Sequence, residues 1–99
     1  MNDQEVSQLY KDLWKHCGAQ YQIDICIEEM AELTQAFLKA RREKLIFNKN
    51  VYKELADVSI CLDQIIKHLE DIEKEDEFLD AVDYKLERLK KRLIEKKSL

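Results

Sequence analysis

Ile25-Cys26-Ile27-Glu28-Glu29-Met30-Ala31-Glu32-Leu33 decides the fold, because its acids and apolar residues recur at helical rather than strand spacing. Glu29 and Glu32 stand three apart, so on a helix they project from one side, a turn from each other. Glu54-Leu55-Ala56-Asp57 repeats the device with Glu54 and Asp57. Two such helices packed antiparallel would present four carboxylates to one point. That donor set suits a hard divalent cation and, through it, a polyphosphate.

The neighbours of these acids set them apart from ordinary surface charges. At about 100° per residue, Gln22, Ile25 and Ala36 share the line of Glu29 and Glu32. Cys61, Gln64 and His68 continue the line of Glu54 and Asp57. Four residues toward the C-terminus stand Leu33, Ala36, Val58 and Cys61, none of them a cation. Toward the N-terminus only Lys53 offers Asp57 a positive charge, while Glu28 sets a second anion against Glu32. Elsewhere acids have a Lys four residues on, as in Asp63 with Lys67, Glu70 with Lys74 and Glu87 with Lys91. The four acids are left under-neutralised by their own helices, and a metal ion is the simplest compensation. The plain alternative is a solvated acidic face, since 21 of 99 residues are Asp or Glu.

Glu-Glu-x-x-Glu, a spacer and Glu-x-x-Asp together resemble the signature of the MazG-type, all-α nucleoside triphosphate pyrophosphohydrolases. The resemblance extends through Ala19-Gln20-Tyr21-Gln22-Ile23-Asp24-Ile25-Cys26-Ile27 before the first word. It continues in Leu33-Thr34-Gln35-Ala36-Phe37 after it and in Val58-Ser59-Ile60 after the second. It covers roughly residues 14 to 70 well and the last helix more loosely. It implies hydrolysis of a nucleoside triphosphate, by first expectation a deoxynucleoside triphosphate, to the monophosphate and pyrophosphate. It implies Mg²⁺ as cofactor, with Mn²⁺ the alternative, held by Glu29, Glu32, Glu54 and Asp57. Glu28 is the remaining acid of the signature, available to support a second metal, orient a water, or lie in solvent.

Composition agrees with an all-α chain. There is no proline and one glycine, with 45% of residues hydrophobic and 38% charged, which leaves almost none of the turn chemistry a sheet needs. The length predicts a single domain over residues 1–99, a four-helix bundle-like subunit. A chain this short buries a limited core alone, so homo-oligomerisation, to a dimer or tetramer, is the expectation. The net charge of −4 argues against a nucleic-acid or anionic membrane surface. No apolar run approaches the roughly 20 residues that span a bilayer. Met1-Asn2-Asp3-Gln4-Glu5 lacks a basic or apolar signal region. Cys17, Cys26 and Cys61 are scattered, which fits small buried thiols in a reducing cytoplasm.

Helices are predicted from about Asp3 to Cys17, Ala19 to Lys44, Val51 to Leu69 and Glu77 to Lys96. Gly18 stops the first, and Asn48 and Asn50 suit the turn and start before the third. The expected buried stripes are Val6, Leu9, Tyr10, Leu13 and Trp14, then Ile23, Cys26, Ile27, Met30, Leu33 and Phe37. They continue as Val51, Leu55, Val58, Leu62, Ile65 and Leu69, then Leu79, Val82, Leu86, Leu89 and Leu93. Glu70 to Glu77 reads either as a loop or as a continuation of the third helix before a bend. The apolar Leu45-Ile46-Phe47 connection is expected at a subunit contact or against the first helix.

Lys85 and Arg88 are candidates to hold triphosphate oxygens that a metal leaves uncovered. Their other reading is as bases answering the helix macrodipole. Trp14 is a candidate to stack on a base, against the reading of a core tryptophan. Gln22 and Gln64 lie on the acid-bearing lines and are candidates to hydrogen-bond ligand or order a water. Glu32 or Glu29 is the candidate proton acceptor from an attacking water. No Ser, Cys or His stands with an adjacent base as a nucleophile. A ferritin-like di-iron bundle needs Glu-x-x-His pairs, but Ile65 precedes His68 and Leu13 precedes His16 at that spacing. The remaining alternative is a non-catalytic helical nucleotide-binding or protein-interaction module.

Overall fold

The computed structural model describes residues 1–98. It is all-α: α1 Asp3–Cys17, α2 Ala19–Arg42, α3 Lys49–Asp71 and α4 Asp76–Ser98, with no strand among the described residues. None of the helices is long and apolar enough to cross a membrane.

Each boundary has a local cause. Asn2 caps α1 through its side-chain oxygen, which accepts from the Glu5 N–H at 2.8 Å, and Glu5 reaches back to the Asn2 N–H. Gly18 takes φ 85° and its N–H closes the end of α1 on the Trp14 carbonyl. Asn48 starts α3, its Oδ1 accepting from the Val51 N–H at 2.8 Å. The ends of α2 and α3 share one closing motif. The Leu45 N–H bonds the Ala40 carbonyl and the Lys44 N–H that of Arg41; the Lys74 N–H bonds Leu69 and the Glu73 N–H Glu70. Lys44 at φ 61° and Glu73 at φ 57° hold the left-handed position that glycine usually takes. α3 therefore ends at Asp71, and Ile72–Glu75 is a short turn before α4.

Two compact units divide the chain, Met1–His68 and Leu69–Leu99. In the first, α2 and α3 run antiparallel: Ala36 and Ala40 on α2 form the buried cluster with Val51 at the start of α3, and Cys26 of α2 meets Cys61 further along α3. α1 lies alongside α3 in the same direction. Its Tyr10 contacts Asp63 and lies under the Lys67 ammonium, 6.0 Å from the ring centroid, and its Trp14 stacks on His68 with centroids 3.9 Å apart.

Burial is much sparser than the apolar stripes predict. Tyr10, Cys26, Val51 and Val58 are buried as expected, and Val6, Leu13, Trp14, Leu33, Ile65 and Leu69 are half-buried. Leu9, Ile23, Ile27, Met30, Phe37, Leu55 and Leu62 are exposed, as are Leu79, Val82, Leu86, Leu89 and Leu93. Three helices have only their mutual seams to bury, and α4 shares its unit only with the connecting turn and the last residues of α3. Ile46 and Phe47 are exposed, and the Phe47 ring stacks on Tyr52 of α3 with ring centroids 6.0 Å apart. Of the expected ion pairs, Asp63–Lys67 forms at 3.5 Å. Glu70–Lys74 does not, because the helix ends between them. Glu87–Lys91 does not either, in keeping with the small gain of an exposed pair over side-chain entropy.

Candidate metal centre

The antiparallel register of α2 and α3 brings the two acidic words to one level. Glu29 contacts Asp57, and Glu32 contacts Glu54. A step of three forward along α2 is matched by a step of three back along α3. One carboxyl oxygen from each of Glu29, Glu54 and Asp57 lies within 4.8 Å of the others. Glu32 lies outside this tight group and is more exposed, touching Glu54 from the edge.

The cluster is electrostatically frustrated as it stands. Glu29 Oε2 and Glu54 Oε2 are buried without a hydrogen-bond partner. Loss of water is the first cause that raises the Glu29 carboxyl above its usual range, followed by the charges of Glu32, Asp57 and Glu54. Glu54 is raised by loss of water, then by the adjoining Glu32 carboxyl and the charge of Asp57, with Lys53 opposing. Among the described residues none of these four acids forms an ion pair. An all-oxygen donor set with orphaned carboxylate oxygens and crowded negative charge fits a hard divalent cation. Glu29, Glu54 and Asp57 would be its inner holders, with Glu32 adjoining.

The flanking residues follow the same register. Gln22 and Gln64, one on each helix, are both buried at 8% exposure. Cys26 is buried and Cys61 half-buried, and all three cysteines are free. Burial, then the charges of Cys26, Glu29 and Asp57, pushes the Cys61 thiol up, so it is held as a neutral thiol rather than a thiolate. The contact between these two cysteines was not evident from their scattered positions. Its only trace is that Cys26 precedes Glu29 by one turn and Cys61 follows Asp57 by one turn.

Trp14 is half-buried and presents one face to His68, its Nε1 buried without a partner. Lys85 and Arg88 lie on α4, in the second unit, both exposed, with the Lys85 Nζ 5.9 Å from the Tyr84 ring centroid. Glu28 is exposed on α2, one turn before Glu32. Comparison with protein-family models, with curated proteins and with solved structures gives no match. The fold and the site thus define a class by geometry alone: an all-α chain with a carboxylate cluster between two antiparallel helices.

Proposed function

We propose that the chain is a Mg²⁺-dependent nucleoside triphosphate pyrophosphohydrolase of MazG type, acting as a homo-oligomer. The observation that carries this reading is the convergence of Glu29, Glu54 and Asp57 within 4.8 Å, with orphaned buried oxygens on Glu29 and Glu54. The resemblance of the two acidic words supports it, since these three are among the four acids, with Glu32, that the resemblance implies as ligands.

When bound, Mg²⁺ (or Mn²⁺) would neutralise and polarise the phosphates of the substrate. Glu29, Glu54 and Asp57 would hold the cation. Glu32, at the edge of the group and open to solvent, accepts the proton of the attacking water as the bond between the α and β phosphates is cleaved. One water is consumed, and the products are the monophosphate and pyrophosphate. Gln22 and Gln64 are assigned to ligand or ordered water, and Trp14 to the base. Exposed apolar residues on α2 and α3, among them Ile27 at 55% and Ile60 at 49% exposure, support assembly with further copies.

The deciding experiment is pyrophosphate release from a panel of ribo- and deoxyribonucleoside triphosphates with Mg²⁺, comparing wild type with Glu32→Gln. Release that needs both the metal and Glu32 supports the proposal, and the preferred nucleotide names the substrate. No release from any nucleotide by a folded wild type overturns it in favour of a binding or adaptor role.

A further inference from the structure

The carboxylate site leaves the apolar stripe of α4 unused. Leu79, Val82, Leu86, Leu89 and Leu93 recur at alternating steps of three and four, the seam of a heptad helix. No residue of α4 is buried, and Leu86 and Leu89 are 57% and 60% exposed. A seam of this period fits a second helix at a shallow crossing angle, side chains interlocking along its length.

Charge selects which helix. From Asp76 to Tyr84 the helix carries Asp76, Glu77, Asp80 and Asp83 and no Lys or Arg. From Lys85 onward it is dominated by Lys and Arg, with only Glu87 and Glu95 against them. The macrodipole rewards such charges only within the first and last turns, which does not account for Asp83 or for bases that begin at mid-helix. A helix acidic in one half and basic in the other is complementary to an identical helix running the opposite way. A parallel copy would instead set Lys85 against Lys90 of the partner subunit.

We propose that α4 is a self-pairing helix, docking antiparallel on α4 of a second copy. Leu86 then packs on Leu89 of the partner subunit and Val82 on Leu93 of the partner subunit, with Asp83 facing Lys90 of the partner subunit. The opposite flank, Lys85 beside Arg92 of the partner subunit, stays basic and open to counter-ions. The contact is isologous, so it closes at two chains. It deepens the homo-oligomer part of the proposed function and is independent of the carboxylate chemistry.

The test is the mass of the full chain, 11.9 kDa as a single copy, by light scattering and sedimentation. Leu86→Asp, with helix content checked by circular dichroism, is expected to weaken association at least about 100-fold by placing a charge in the seam. Asp83→Lys alone and Lys90→Asp alone each oppose like charges and weaken association. An equimolar mixture of the two restores it, because both contacts of the mixed pair again carry opposite charges. These charge variants lie at exposed positions and decide the matter even where Leu86→Asp fails to fold. A wild type that is monomeric at all concentrations overturns both this pairing and the oligomer reading. An oligomer untouched by Leu86→Asp, or a mixture no stronger than its components, overturns the α4 pairing and leaves the oligomer reading standing on another face.

Discussion

Glu29 on α2 and Asp57 on α3 hold carboxyl oxygens within 4.8 Å of each other across an antiparallel helix pair, with no cation paired to either among the described residues. Two carboxyls so close cannot both be charged without cost unless something positive joins them. Their proximity is unfavourable while both carry charge and nothing positive lies between them.

Stability should therefore depend on pH in a direction that reveals the site. Glu29 and Glu54 are raised above their ordinary value of 4.5 in the folded state. Groups raised in this way contribute stability that is fully present below the unfolded pKa and lost as pH rises through the folded pKa. In EDTA the thermal midpoint should fall as pH climbs from the carboxylate range toward neutrality. Mg²⁺ or Mn²⁺ should reduce or reverse that fall, since the ion binds the deprotonated acids. Melts with EDTA and with metal that trace the same curve would count against a cation site.

Glu54→Gln separates repulsion from ligation. Removing one negative charge from the cluster should leave the metal-free chain at least as stable as wild type. The metal-induced rise should disappear; in wild type it is about 2.7 kcal/mol at a hundredfold excess over Kd. Thermal melts across a Mn²⁺ titration check both halves of the expectation.

Asn48→Ala removes the side-chain cap of α3 and should cost about 1 kcal/mol in urea unfolding. Asn48→Asp should keep most of that stability. Because α3 carries Glu54 and Asp57, the Ala variant should also weaken Mn²⁺ stabilisation if fraying reaches the first two turns.

Backbone conformation gives a pair of opposite predictions. Gly18 sits at φ 85° with open space around the place of a Cβ, so Gly18→Ala should cost about 1–3 kcal/mol purely from backbone strain. Lys44→Gly should stabilise by up to about 1 kcal/mol, because Lys44 holds a left-handed conformation at the end of α2 that glycine adopts freely. Chemical denaturation of the two variants reads both signs.

The helices and the carboxylate words were legible because their signals are local. Apolar and acidic residues at steps of three and four, one glycine between α1 and α2, and Asn48 before α3 follow from the geometry of a single helix. The ends at Lys44 and Glu73 were less legible: neither residue is a usual left-handed stop, and the closing hydrogen bonds outweigh their preference. Burial was least legible of all. Periodicity marks a face as apolar, but only packing decides whether anything covers it, and the α4 stripe stays exposed.

The sequence by itself determined that the chain is helical and that each of two helices lines its acids along one side, since helical period needs no partner. Only the tertiary structure decided the antiparallel register that sets Glu29 with Asp57 and Glu32 with Glu54, and placed Glu32 outside the tight group of three. Register is a property of two surfaces meeting. Here Ala36 and Ala40 of α2 share a buried cluster with Val51 of α3, which marks one level of that register.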